Sequence, residues 1–251
     1  MKIAVVTGAS SGLGREFALL VPSAFPDAER IWLVARRTGR LEELAKELPV
    51  PAEILTADLS DERGAEALGA RLAAGKPEVA VLVNCAGCGY LGDVADSDPA
   101  LNSRMIDLNV RGLTAVTRAV LPYMGRGGRI INISSIASFC PNARLTVYSS
   151  TKAYVTSFSI GLRDELRKRG INVTAVCPGP MATEFIDVGG IRGRSKMFST
   201  LPYCDPKKVA AGAVSASKRG RAVYTPKAFY RFYRFIASIV PHPLLARQVR
   251  T

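Results

Sequence analysis

Short apolar runs rich in β-branched residues alternate with helical patterns along this chain, and that alternation limits the folds open to it. The runs are Lys2–Thr7, Arg30–Ala35, Ala52–Ala57, Val79–Val83, Arg129–Ile133 and Asn172–Val176, with a shorter one at Ala222–Tyr224. They are continuous, the pattern of strands buried on both faces. Between them, stretches near 13–21, 41–48, 62–74, 101–124, 148–169 and 206–217 read as helices. Strands that alternate with helices predict an α/β fold, a doubly wound parallel sheet covered on both faces. No repeat, low-complexity run or linker divides the 251 residues. A single domain over 1–251 with a C-terminal helical extension is therefore expected.

Ligands of such a sheet bind beyond the carboxyl ends of its strands. Thr7-Gly8-Ala9-Ser10-Ser11-Gly12-Leu13-Gly14 directly follows the first run. Glycines there allow a tight turn and the approach of a pyrophosphate, and the next helix offers its N–H groups and dipole. Thr7, Gly8, Ser10, Ser11, Gly12, Leu13 and Gly14 are candidate cofactor contacts on that ground. The spacing is Gly-x-x-x-Gly-x-Gly, not Gly-x-Gly-x-x-Gly, and a plain tight turn is the competing reading. Gly8 to Gly12 also matches the Gly-x-Ser-x-Gly of a hydrolase nucleophile elbow. That fold needs earlier strands and a histidine. Only six residues precede Thr7, and the single histidine is His242.

Other strand ends carry chemistry too. The second run ends Ala35-Arg36-Arg37, with no acid for a ribose 2′-hydroxyl. Arginines there suit a 2′-phosphate, hence NADP, or else merely begin a solvated helix. The third run ends at Asp58-Leu59. The fourth ends Asn84-Cys85-Ala86-Gly87, small enough for a cofactor to lie across the sheet edge. The sixth is followed by Pro178-Gly179-Pro180-Met181-Ala182-Thr183. Asn109 falls inside the 101–124 helix, where asparagine is expected on the solvent face.

The fifth run leads into Ser134-Ser135, a loop with Pro141 and Asn142, and a helix with Tyr148 and Lys152 in its first turns. Residues four apart share a helix face. An ammonium beside a phenol lowers the phenol pKa, and a phenol so tuned is a competent general acid or base. Ser135 can face the same cleft from its strand end. Tyr-x-x-x-Lys alone is as well read as surface decoration; its position on the same sheet edge as the other motifs argues for more.

Composition narrows the chemistry. No 18-residue apolar run exists, so no membrane span is expected. Met1 is followed at once by a strand, and no signal peptide is expected. Five cysteines, an odd number, point to reduced thiols and a cytoplasmic location. Cys85 and Cys88 form a Cys-x-x-Cys that no second pair or histidine completes, so no metal site is expected. Charge is uneven. Residues 1–187 hold 21 Lys+Arg and 20 Asp+Glu, whereas residues 188–251 hold 13 and one acid, Asp205. Such asymmetry implies an anionic neighbour: a lipid surface, an acidic partner or substrate, or nucleic acid. Phe229, Tyr230, Phe232, Tyr233 and Phe235 could stack bases, but no recognised nucleic-acid module is present, and no nucleic-acid partner is expected.

Two further segments matter. Residues 181–203 read as an irregular lid, with Gly189, Gly190 and Gly193 among basic residues and with Phe185, Ile186, Ile191, Met197, Phe198 and Leu201 as its apolar part. Residues 226–240 read as a basic amphipathic helix. Thr225 caps it, Pro226 begins it and Pro241 stops it. Phe229, Phe232, Tyr233, Ile236 and Val240 fall on one face, with Lys227, Arg231, Arg234 and Ser238 opposite. The helix either packs on the chain, as a wall of the site or a subunit interface, or makes peripheral contact with an anionic membrane.

Together, Thr7-Gly8-x-x-x-Gly12-x-Gly14, Asp58-Leu59, Asn84-x-Ala86-Gly87, Asn109, Ser135, Tyr148-x-x-x-Lys152 and Pro178-Gly179 resemble the classical short-chain dehydrogenase/reductase family, from Lys2 to about Tyr224. The thirteen-residue interval from Ser135 to Tyr148 fits as well. Cys85 departs from the second asparagine often found in that family. The resemblance implies a Rossmann-type domain that transfers a hydride between NADP(H) and a carbonyl or secondary alcohol. It implies Tyr148 as acid/base, Lys152 as the group that lowers its pKa and binds the nicotinamide ribose, Ser135 as orienting the substrate oxygen, and Asn109 as holding a relay water. It adds Pro178, Gly179, Met181 and Thr183 to the cofactor contacts. A homodimer or homotetramer is also implied, through the helices around Asn109 and after Tyr148. Val155, Phe158, Leu162 and Leu166 would be its apolar stripe or would face this chain's own sheet. The lid residues favour a lipophilic substrate, steroid-like or long-chain, or are lid-to-core packing. The competing reading on this fold is a non-catalytic, regulatory NADP-binding protein.

Overall fold

Lys2–Thr7 (β1) is an inner strand, third of seven, in the sheet of the computed structural model, which describes residues 1–191 and 193–249, without the side chains of residues 196 and 197. The other strands are Arg30–Ala35 (β2), Ala52–Thr56 (β3), Glu78–Asn84 (β4), Arg129–Ile133 (β5), Asn172–Val176 (β6) and Val223–Tyr224 (β7). Their order is β3-β2-β1-β4-β5-β6-β7, and every neighbouring pair is parallel. Thr7 pairs with both Val34 and Asn84. The loops that begin at Gly8, Arg36 and Cys85 therefore leave the sheet at nearly one level, which is how separate motifs come to share an edge.

The helices are Gly12–Ala24 (α1), Thr38–Glu47 (α2), Glu62–Gly75 (α3), Pro99–Ile106 (α4), Leu113–Val120 (α5), Thr146–Glu165 (α6), Glu184–Val188 (α7), Lys196–Thr200 (α8), Pro206–Lys218 (α9), Ala228–Ile239 (α10) and His242–Gln248 (α11). Successive strand residues point to opposite faces. On one side Ala4, Val6 and Leu33 pack with Phe17 of α1, Leu44 of α2 and Ala213 of α9. On the other Ile3, Val5 and Val34 pack with Leu68 of α3, Val116 of α5 and Leu162 of α6. Burial on both faces is why the inner strands β1, β2, β4, β5 and β6 are mostly unbroken apolar runs, whereas the edge strand β3, with Glu53 and Thr56, is only part-buried. Among the described residues no helix is long and apolar enough to cross a membrane.

Four local expectations are corrected. The single helix over 101–124 is broken: α4 passes through a π-helical turn, Asp107–Gly112, into α5 and a 3-10 turn, Leu121–Tyr123. Asn109 lies in that π-turn and is 1% exposed, because its amide has backbone partners in the β4 loop. The α6 helix ends at Glu165 and a 3-10 turn, Arg167–Arg169, carries the helical segment to its expected end, while Val155, Leu162 and Leu166 are buried, in line with the alternative that they pack on this chain's own sheet. Residues 181–203 are not irregular throughout, since they form α7 and α8; the Met197 side chain lies outside the described residues. The C-terminal helix starts at Ala228 after Lys227, whose φ is 60°. Thr225 and Pro226 are buried beyond β7 and make no cap. Its inner face is Tyr230, Tyr233 and Ala237, while Phe229 and Phe232 stand out in solvent.

Candidate active site

The site begins at the Gly8 turn. Gly8 has φ 67°, and a Cβ there would stand 2.7 Å from the Ala86 nitrogen, so the turn and the β4 loop touch backbone to backbone. Thr7 locks that contact: its Oγ1 accepts from the N–H groups of Cys85, at 3.1 Å, and Ala86, at 3.2 Å. Thr7 is itself buried and supports the turn from beneath. Ser11, at the N-cap of α1, makes no side-chain cap. The first-turn N–H groups are left to face the cleft, which is the usual anion site of such a fold. The Ser11 hydroxyl instead accepts from Arg37 at 2.7 Å, and Ser10 accepts from the same guanidinium.

Arg37 also reaches Glu184 of α7 at 2.8 Å, and Arg40 pairs with the same carboxylate. Glu184 thus ties the lid to the end of β2, across the cleft. Sequence reasoning missed it, since nothing local marks a contact between positions 147 residues apart. Arg36 lies 3.7 Å from Asp58. Burial raises the Asp58 pKa, but hydrogen bonds from the Ser60 side chain and backbone and from Arg104 outweigh it and hold the carboxyl at about 2.

The reactive half lies where β5 meets α6. Tyr148 and Lys152 are both buried, with the Lys152 Nζ 5.8 Å from the phenol ring centroid. Nζ donates to the Ile133 carbonyl at 2.9 Å. The expected lowering of the phenol pKa is not realised. Burial pushes Tyr148 up to about 12, against the Ser135 hydroxyl that hydrogen-bonds it. The same burial pulls Lys152 down to about 8. Both shifts follow from desolvation of the charged form. Asn109 Nδ2 donates to the Cys88 carbonyl at 2.8 Å and to Thr151 Oγ1 at 3.0 Å, while Oδ1 accepts from the Cys88 N–H at 2.9 Å. A Cβ on Gly87 would stand 3.1 Å from Asn109 Oδ1 and 3.4 Å from the Lys152 Nζ. Asn109 therefore clamps the β4 loop beside the ammonium.

One cleft of about 440 Å³ unites these groups. Of the candidate residues, the turn from Gly8 to Gly14, Arg36, Arg37, Asp58, Leu59, Ala86 and Gly87 line its nucleotide end. Ser135, Tyr148, Lys152, Pro178, Gly179, Met181 and Thr183 line the rest. Thr7, Asn84 and Asn109 lie behind the wall. Asn84 Nδ2 donates to Thr117 Oγ1 and Asn132 Oδ1, both at 2.9 Å, and so joins α5, β4 and β5. Residues not anticipated as site walls are Cys140, Leu145, Glu184, Tyr230 and Val249. Desolvation pushes the Cys85 thiol up to about 12 and raises Cys88 as well, which disfavours a thiolate at either position.

The chain can be set beside known proteins on these features. It is 39% identical over 202 residues to sulfoacetaldehyde reductase 2 of Chromohalobacter salexigens, with 77% of this chain and 79% of that one covered. The structure of a short-chain dehydrogenase from Sphingobium yanoikuyae in complex with NADPH superposes with a TM-score of 0.78 at 28% identity, over 96% of this chain and 97% of that one. The bulky-bulky ketone specific alcohol dehydrogenase from Comamonas testosteroni superposes at 0.75 with 27% identity, over 96% and 95%. The family profile for short chain dehydrogenases matches residues 2–188, and with the turn, the Tyr148–Lys152 pair and the sheet order on one edge, this chain belongs to the short-chain dehydrogenase/reductase family.

Proposed function

We propose that the chain is an NADP(H)-dependent oxidoreductase that interconverts a bulky, apolar carbonyl compound and its secondary alcohol. The observation that carries this reading is the convergence of Ser135, Tyr148 and Lys152 on one cleft that runs on to the Gly8–Gly14 turn. The cofactor fits the residues present. The uncapped N-terminus of α1 suits a pyrophosphate. Arg37 with Ser10 and Ser11, and Arg36 nearby, suits a 2′-phosphate. Asp58 and Leu59 would wall in the adenine, and Met181 and Thr183 the nicotinamide. The bound NADPH of the Sphingobium yanoikuyae relative supports the choice.

When bound, the nicotinamide supplies or takes the hydride. The protein handles the proton. Tyr148 is protonated at neutral pH, because burial holds its pKa high, and it donates to the carbonyl oxygen as the carbonyl carbon is reduced. Ser135 holds that oxygen beside the phenol. The Lys152 ammonium, 5.8 Å from the ring centroid, would stabilise the phenolate left behind and help hold the cofactor ribose when it is bound. The Asn109 amide is committed to Cys88 and Thr151, so its side chain would hold the β4 loop in place beside Lys152. A protein that only bound cofactor would not need this set.

The substrate half is apolar: Leu145, Phe185, Ile186, Ile191, Phe198 and Leu201 line it. Sulfoacetaldehyde is an anion, and an anion needs a cation at the substrate end. Among the described residues that line the cleft the cations are Arg36 and Arg37, at the nucleotide end, and Lys152, which is hydrogen-bonded to Ile133. A lipophilic ketone or alcohol suits these walls better than a sulfonate. The chain is further read as a cytoplasmic homodimer or homotetramer; its free cysteines suit a reducing compartment.

The test is a panel of ketones, from short sulfonated to long-chain and steroid-like, with NADPH and NADH, followed by reduced-nicotinamide absorbance. Bulky apolar ketones with NADPH should give the highest kcat/KM. No turnover of any ketone would sink the reading, and equal kcat/KM for the two cofactors would sink the NADP assignment. Ala35→Asp with Arg36→Ser should weaken NADPH and favour NADH, because the new carboxylate repels a 2′-phosphate and accepts from a 2′-hydroxyl.

A further inference from the structure

The outer surface of α10 has three stripes. Tyr230, Tyr233 and Ala237 face inward, and Tyr230 is fully buried with its hydroxyl on the Pro202 carbonyl at 2.9 Å. Phe232, Phe235 and Ile239, at i, i+3 and i+7, form a second row that is 64%, 59% and 62% exposed. Phe229, one turn before Phe232, is exposed and also lines the cleft, and Leu244 of α11, beyond Pro241, is exposed as well. Arg231 and Arg234 form the third stripe, and both are exposed. After Asp205 the sequence has no acidic residue at all.

We infer that this surface docks the chain on an anionic lipid bilayer, with α10 lying in the headgroup plane. A row of phenylalanines flanked by arginines on a helix fixed to a globular body is the arrangement that buries its apolar edge among acyl chains and its cations among phosphates. A second copy of this chain is a poor occupant. A two-fold contact places each patch on itself, so Arg231 and Arg234 of one copy would face the same cationic patch of the other, and the chain after Asp205 supplies no acid to offset them. Nucleic acid fits less well, since Ile239 and Leu244 offer nothing for bases to stack on. Phe229 joins the row to the cleft mouth, so a carbonyl dissolved in the bilayer would pass sideways into the site. Docking itself rests on the surface alone and not on the reductase reading.

The experiment is sedimentation of the purified full chain with vesicles of phosphatidylcholine and phosphatidylglycerol in equal parts, at low salt, against pure phosphatidylcholine. The chain should pellet with the anionic vesicles and stay in solution with the neutral ones. Phe232→Ser with Phe235→Ser, and separately Arg231→Gln with Arg234→Gln, should each cut the partition coefficient by about tenfold or more. Turnover of a water-soluble ketone should persist in both variants, and it reports the reductase site independently of binding. A wild-type chain that stays in the supernatant with anionic vesicles overturns the inference. So do variants that pellet like wild type, and so does a phenylalanine variant that turns a solution dimer into a monomer, which would make the row a subunit interface.

Discussion

Tyr148 and Lys152 are shifted in opposite directions by one cause, and function depends on both. Burial keeps the phenol protonated and makes the ammonium easier to lose. Tyr148→Phe should lower kcat by about 10²–10⁴-fold, the usual worth of a general acid, while NADPH binding measured by fluorescence titration holds. Retention of more than about a tenth of kcat would refute the assignment. For Lys152 the sign can be worked through. Its folded pKa, about 8, lies below the ordinary 10.5. Between those values the unfolded chain keeps the proton that the folded chain has lost, so this group makes stability rise with pH there; below about 8 the cost of burying a cation is fully present. Turnover runs the other way, and kcat/KM for reduction should be level near neutral pH and fall above about pH 8 as the ammonium disappears. Lys152→Met should therefore abolish turnover yet melt no lower than wild type at neutral pH. The lost hydrogen bond to Ile133 is worth about 1 kcal/mol, against several for a desolvated charge. A markedly lower Tm would show that Lys152 is structural.

Elements packed on the sheet were legible in the sequence, and elements packed on loops were not. The runs 2–7, 30–35, 129–133 and 172–176 are strands as expected, because burial on both faces writes itself as unbroken Val, Ile and Leu. The cleft was legible for the same reason, since the Gly8 turn, Arg36, Asp58, the Asn84 loop, Ser135 and Pro178 all follow within two residues of such a run. Asn109 was misplaced because periodicity cannot show that a side chain is held by the Cys88 backbone, a contact that goes with a π-turn. The α10 helix was misoriented because it rests on irregular backbone, where two tyrosines suffice and the phenylalanines are left outside. Gly179 is the hinge of that packing. A Cβ there would fall 2.2 Å from the Tyr230 ring, with nothing but the ring to give way. Gly179→Ala should cost about 1–3 kcal/mol, the usual cost of overpacking, in urea denaturation. It should also expose Lys227 and Arg231 to trypsin as α10 lifts. Unchanged stability and cleavage would mean that α10 is not anchored through this ring.

The whole molecule turns two different outer faces to its surroundings, and a different partner is expected for each. The face of α10 is apolar and cationic. The outer face of α6 carries Ala153, Ser157, Ile160 and Gly161, at i, i+4, i+7 and i+8, all exposed and without charge. A Cβ on Gly161 would meet nothing within 4 Å, so another helix can approach this backbone closely. Beside it the Tyr154 ring stacks on Phe158, with centroids 5.7 Å apart, and its hydroxyl lies 2.8 Å from Thr114 Oγ1, which stiffens the edge of the face. Of the stripe read either as a subunit contact or as packing on this chain's own sheet, Leu162 and Leu166 belong to the core and Val155 is buried, so a subunit contact is expected on the uncharged outer face instead. A stable interface buries about 800 Å² on each partner, which a 20-residue helix with its neighbours can supply. Light scattering at micromolar concentration should give a mass of two or four copies of 26.9 kDa. Ile160→Glu should move the mass toward a single copy, because a two-fold contact would set two buried carboxylates together. Phe232→Ser with Phe235→Ser should leave it unchanged. A wild-type mass near 26.9 kDa would exclude the oligomer, and a monomer produced by the phenylalanine variant alone would exchange the roles of the two faces.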